Sequence, residues 1–152
     1  MSHITLELYP HQAEAYSAAA KLLDSQGRAA VIHPTGTGKS YLAFKLIEDH
    51  PTAAFLWLGP SEYIFRTQLT SLQKTAPELS MASVCFRTYA SLLCDTASLA
   101  ELHFDYIILD EFHRVGSEHW GAAVQQVLSQ HPAAKVLGLS ATHIRYLDHQ
   151  RD

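Results

Sequence analysis

The sequence predicts an α/β domain of three layers, with helices on both faces of a mostly parallel central sheet. Five short apolar runs, at 29–32, 53–58, 81–86, 106–109 and 136–139, alternate with stretches of helical periodicity. That alternation is the order that lays crossover helices over a parallel sheet. Several of the runs are continuously apolar rather than alternating, as strands covered on both faces are. Three of them end in reactive side chains, and ligands bind such sheets at the carboxyl ends of the strands.

Taken in order, Pro10 suits the first turn of a helix, where its missing N–H costs nothing. Tyr16, Ala19, Ala20 and Leu23 continue it at helical spacing, and Gly27 is its predicted stop. The strand at 29–32 leads through 33–40 into a helix ending near His50-Pro51. Gly59-Pro60 closes the strand at 53–58, and Ser61 is placed to cap a helix reaching about residue 75. The run at 81–86 is expected to be a strand and 88–93 a short helix. Helical periodicity returns over 117–130, with Trp120, Ala123, Val124 and Val127 on one side.

At 152 residues this is one domain, able to bury about two-thirds of its unfolded surface. A content of 47% hydrophobic and 17% charged residues predicts a folded chain. No apolar run approaches the roughly 18–20 residues of a membrane helix, and the N-terminus lacks a signal peptide's basic-then-apolar order. Cys85 and Cys94 are too few for a disulfide framework. No membrane partner and a cytoplasmic location are the expectations. With a net charge of −4 and no run of Lys or Arg, no global field recruits nucleic acid. The ten histidines form no zinc-ligand spacing.

The segment His33-Pro34-Thr35-Gly36-Thr37-Gly38-Lys39-Ser40 lies between a strand and a helix, the context a phosphate-binding loop requires. Gly36 and Gly38 let the backbone N–H groups of 35–38 close around an anion, helped by the helix N-terminus. Lys39 is then expected to reach the β- and γ-phosphates, and the Ser40 hydroxyl to ligate Mg²⁺. His33 replaces the first glycine of the general pattern. About seventy residues on, the strand at 106–109 ends in Asp110-Glu111. Asp110 is expected to hold Mg²⁺ with Ser40, and Glu111 to orient the attacking water.

Together, 33–40, Asp110-Glu111-Phe112-His113 and Ser140-Ala141-Thr142 resemble motifs I, II and III of superfamily 2 DEAD/DEAH-box-like helicases and translocases. Leu8-Tyr9-Pro10-His11-Gln12 is similar to the Q motif of restriction-enzyme-type members. The resemblance implies a P-loop NTPase of RecA-like fold over 1–142, the first of two such domains, with 143–152 a tail or the start of an interdomain linker. It implies ATP and Mg²⁺ as cofactors, with Gln12 on the adenine edge. It implies that the strand ending at Ser140 lies between those ending at 32 and 110. His113, Ser140, Ala141 and Thr142 would relay nucleotide state to the nucleic acid and the partner domain.

Ser61, Arg66 and Gln68 fall near the family's motif Ia, and Thr88-Tyr89-Ala90-Ser91-Leu92 resembles a T-Y-x-S-L stretch of restriction-type members. Those positions, with Thr88, are the nucleic-acid candidates, for DNA rather than RNA; an ordinary surface helix accounts for 61–75 equally. Glu62 stands where DEAD-box members carry Arg, and Phe112 where they carry Ala. A second RecA-like domain would supply the opposite wall and arginine fingers, so this chain alone is expected to hydrolyse ATP weakly and unwind nothing. Two other readings are a different P-loop enzyme, such as a small-molecule kinase, and a non-catalytic interaction module. The kinase reading leaves Ser140-Ala141-Thr142 unexplained.

Overall fold

A computed structural model of the chain describes residues 10–32, 39–59, 61–75, 79, 81–110 and 120–140. Five helices and five strands alternate there: α1 (Pro10–Gln26), β1 (Arg28–Ile32), α2 (Lys39–Asp49), β2 (Phe55–Gly59) and α3 (Glu62–Thr75), followed by β3 (Val84–Thr88), α4 (Leu92–Ala100), β4 (Tyr106–Asp110), α5 (Trp120–Gln130) and β5 (Lys135–Ser140). All strand pairs are parallel, in the order β1-β5-β4-β2-β3. The three-layer α/β expectation holds, and so does the insertion of β5 between β1 and β4.

Strand parity divides the core into two layers. Phe55 and Trp57 of β2, Tyr106 and Ile108 of β4, and Leu137 and Leu139 of β5 face one side. There they meet Ala19 and Leu23 of α1, Leu42, Phe44 and Leu46 of α2, and Phe65 and Leu72 of α3. The opposite faces, with Leu56, Leu58, Ile107, Leu109 and Val136, pack on Leu92 and Leu99 of α4 and on Ala123, Val124 and Val127 of α5. β2 and β4 are buried at every position, which is why their sequences are continuously apolar. Edge strand β3 is only half-buried.

Aromatic rings tie the first layer together. Phe65 stacks on Phe86 with centroids 4.2 Å apart and meets Trp57 edge-on at 5.1 Å; Phe44 lies 5.2 Å from Trp57 on the other side. Each such pair adds about 0.5–1.5 kcal/mol beyond area burial. Helices α2 and α3 are thereby fixed against the same strand.

The strand expected at 53–58 is Phe55–Gly59, and two larger differences have a local cause. The strand expected at 81–86 is Val84–Thr88, because residues 81–83 form a turn closed by the Val84 N–H on the Met81 carbonyl at 3.0 Å. The helix expected at 88–93 starts at Leu92 and continues to Ala100. Thr88 to Ser91 form a turn instead: the Ser91 N–H donates to Thr88 Oγ1 at 3.1 Å, and the Ser91 hydroxyl to the Thr88 carbonyl at 2.8 Å. Local side-chain bonds of this kind compete with helix formation.

Candidate functional site

The carboxyl ends of β1, β5 and β4 stand side by side. Ile32 pairs with Ser140, and Leu139 with Asp110, so the three ends are level to within one residue. Adjacent strands lie about 4.8 Å apart, which places the end of β1 roughly 10 Å from Asp110. Ile32 is the last residue before the 33–38 segment and Lys39 the first of α2.

Asp110 shares strand parity with Tyr106 and Ile108, so its side chain leaves the sheet on the face covered by α2 and α3. It is 2% exposed, one of two buried polar residues among those described. The other is Gln12, 6% exposed in the first turn of α1. One turn further along the same helix face, the Tyr16 hydroxyl donates to Asp49 Oδ2 at 2.6 Å and binds α1 to α2.

Among the described residues, Gln68 and Tyr89 both hold Asp110. Gln68 Nε2, from α3, donates to Asp110 Oδ2 at 3.5 Å. From the other face, the fully buried Tyr89 donates its hydroxyl to the Asp110 carbonyl at 2.7 Å. The Tyr89 N–H also donates to the Gly59 carbonyl at 2.9 Å, so one residue spans the ends of β3, β2 and β4. Gly59 keeps the approach narrow: a Cβ there would sit 3.4 Å from the Phe86 ring and 3.7 Å from Asp110 Cβ.

Of the residues expected at the site, Gln12 and Asp110 are placed in full. The backbones of Lys39 and Ser40 open α2, and that of Ser140 closes β5. Thr35, Gly36, Thr37, Gly38, Glu111, His113, Ala141 and Thr142 lie outside the described residues, as do His33 and 143–152. The four nucleic-acid candidates have different surroundings. The Ser61 hydroxyl caps α3, accepting from the N–H groups of Tyr63 at 3.1 Å and Ile64 at 3.3 Å. Thr88 closes the β3–α4 turn, Gln68 turns toward Asp110, and Arg66 is 72% exposed and paired with Glu62 at 2.8 Å. Sequence reasoning missed what Tyr89 and Gln68 do for Asp110, because both contacts depend on how distant strands and helices pack.

The donor set suits a nucleotide with its metal. A carboxylate is a hard oxygen ligand of the kind Mg²⁺ takes. On the same face lies the N-terminus of α2, where a helix start offers N–H groups and about half a positive charge to a phosphate. A separate cavity of about 230 Å³ opens at the opposite end of the sheet, where Arg28 begins β1 and Lys135 begins β5; Lys135 Nζ lies 3.3 Å from Asp24 Oδ1 at its rim. It adjoins none of the candidate residues.

Among the described residues, no helix is long and apolar enough to cross a membrane. None of the curated proteins matches the chain. Residues 5–145 match the family model described as "Type III restriction enzyme, res subunit". With the parallel sheet and its strand order, this match makes the chain a member of that family, a helicase-type ATP-binding domain of RecA-like fold.

Proposed function

We propose that the chain is the ATP-hydrolysing motor domain of a nucleic-acid-dependent helicase or translocase, acting on DNA rather than RNA in the cytoplasm. The observation that carries this reading is Asp110: a buried carboxylate at the end of a central strand, on the face that α2 covers, level with and two strands across from the strand end that leads into the Lys39-Ser40 segment. The restriction-enzyme family description supports DNA.

In this reading the N–H groups of Thr35, Gly36, Thr37 and Gly38 cradle the phosphates and Lys39 neutralises the β- and γ-oxygens. Ser40 and Asp110 hold Mg²⁺, which supplies positive charge between those phosphates when bound. Glu111 orients water for attack on the γ-phosphorus, and Gln12 reads the adenine edge. His113 and Ser140 to Thr142 carry nucleotide state outward. Arg66, the most exposed of the four surface candidates, is the side chain best placed to meet a phosphate backbone. A second RecA-like domain supplies the facing wall, and an arginine finger of the kind worth roughly 10³–10⁵ in rate.

Calorimetry with ATP and GTP on the wild type, Lys39→Ala and Gln12→Ala tests this. Loss of binding in Lys39→Ala, and an ATP preference lost in Gln12→Ala, are expected. Equal ATP and GTP affinity untouched by Gln12→Ala would remove the adenine assignment. Binding unaffected by Lys39→Ala would remove the phosphate loop. The purified chain alone should hydrolyse ATP slowly; unwinding of a tailed duplex at full helicase rates would refute the two-domain requirement.

A further inference from the structure

We propose that Tyr89 and Gln68 are positioning residues that hold Asp110, from opposite faces of the sheet, in the orientation its metal requires. The proposal rests on the reading of Asp110 as the Mg²⁺-holding carboxylate. The pairing of β2 with β4 stops at Leu58–Leu109, one residue short of Asp110. Beyond that pair the Tyr89 hydroxyl cross-links the chain at the Asp110 carbonyl, and its ring belongs to the same buried cluster as Leu58, Leu92 and Leu109. Tyr89 therefore fixes the backbone from which the carboxylate projects.

Gln68 acts on the carboxylate itself. Its amide nitrogen lies 3.5 Å from Asp110 Oδ2, while its buried Oε1 has no protein partner among the described residues. A glutamine bonded through only one end of its amide is free to move as the carboxylate turns toward a cation. The two contacts approach through different atoms and different layers. Tyr89 sets where Asp110 is, and Gln68 sets which oxygen faces α3. Partners that orient a metal ligand are worth about 10–100-fold in metal affinity when removed.

Tyr89→Phe keeps the buried ring and removes only the hydroxyl; Gln68→Leu keeps the bulk and removes the amide. The measurement is Mg²⁺ titration of a fluorescent ATP analogue bound to the full chain, with binding in EDTA measured in parallel. Tyr89→Phe is expected to raise the half-saturating Mg²⁺ about tenfold. Gln68→Leu, losing a longer contact, should raise it about threefold. Affinity in EDTA should stay within about twofold of wild type, since the phosphate-binding N–H groups are untouched. Gly27→Ala, which alters the chain at the far end of the sheet, should lower stability and leave the Mg²⁺ dependence unchanged. If Asp110→Asn raises the Mg²⁺ requirement and neither Tyr89→Phe nor Gln68→Leu does, the positioning role is overturned and the reading of Asp110 stands. If Asp110→Asn has no effect, that reading falls and takes the proposal with it.

Discussion

The Tyr16 hydroxyl donates a 2.6 Å hydrogen bond to Asp49 Oδ2 across thirty-three residues, joining the first turns of α1 to the end of α2. Burial first, then the hydrogen bond and charge of Asp49, pushes the Tyr16 phenol well above its ordinary range. The unfolded chain gives up this proton near pH 10, about the usual value for tyrosine. The folded chain keeps it. Stability from the contact is therefore full below about pH 10 and is lost as pH rises beyond it. Tyr16→Phe should cost about 1 kcal/mol at neutral pH and make the alkaline decline shallower. Urea midpoints from pH 7 to 11 check both; Tyr106, also raised by burial, leaves a residual slope.

Asp105 predicts the acid limb. Its Oδ2 accepts the Ala54 N–H at 2.8 Å and its Oδ1 lies 2.9 Å from His103 Nε2. The Ala54 bond first, then His103, holds the Asp105 carboxyl below the usual range. The resulting stability is present above about pH 4 and is lost as pH falls through the lowered pKa. Because the side chain is 42% exposed, solvent screening reduces the effect. Asp105→Asn should cost only about 0.5 kcal/mol at pH 7 and flatten the loss of stability below about pH 4, read by chemical denaturation.

Gly27 ends α1 with φ of 77°, and its N–H donates to the Leu23 carbonyl at 3.0 Å. No atom stands within 4 Å of where a Cβ would go, so the obstacle to substitution is backbone conformation alone. Gly27→Ala should cost about 1–2 kcal/mol. Gly27→Asn, which tolerates this region better, should cost less. At roughly 2–4 °C per kcal/mol, calorimetry resolves the two.

Ser61→Ala removes the cap of α3 and should cost about 1 kcal/mol, restored by Ser61→Asp. DNA affinity provides a second readout. The aspartate repairs the helix but places a negative charge at its N-terminus. If this end of α3 meets a phosphate backbone, binding of a single-stranded oligonucleotide should weaken in Ser61→Asp and recover little with folding stability.

Much of the architecture was legible because continuous apolar runs, Gly27 and Ser61 each have a local physical meaning that the fold preserves. The place of β5 between β1 and β4 came from motif resemblance, since strand order leaves no mark on local pattern. Nor does side-chain direction over long separations. Gln68 read as a surface contact because helical spacing cannot say that Asp110, forty-two residues on, will pack beneath it. Tyr89 sits in a turn that read as helix, and its hydroxyl finds a strand two places across the sheet.

The strand order also constrains how the molecule can be made. β1 pairs with β5 and, among the described strands, with no other, yet β5 is the last of the five to leave the ribosome. Until Lys135 to Ser140 emerge, β1 and α2 have no sheet to join, and the end of β1 has no set distance from Asp110. Long-range parallel pairing of this kind is slow to form. Between the emergence of Asp110 and that of Ser140 a nascent chain therefore carries both halves of its candidate nucleotide site without having assembled it, and the last strand works as the keystone.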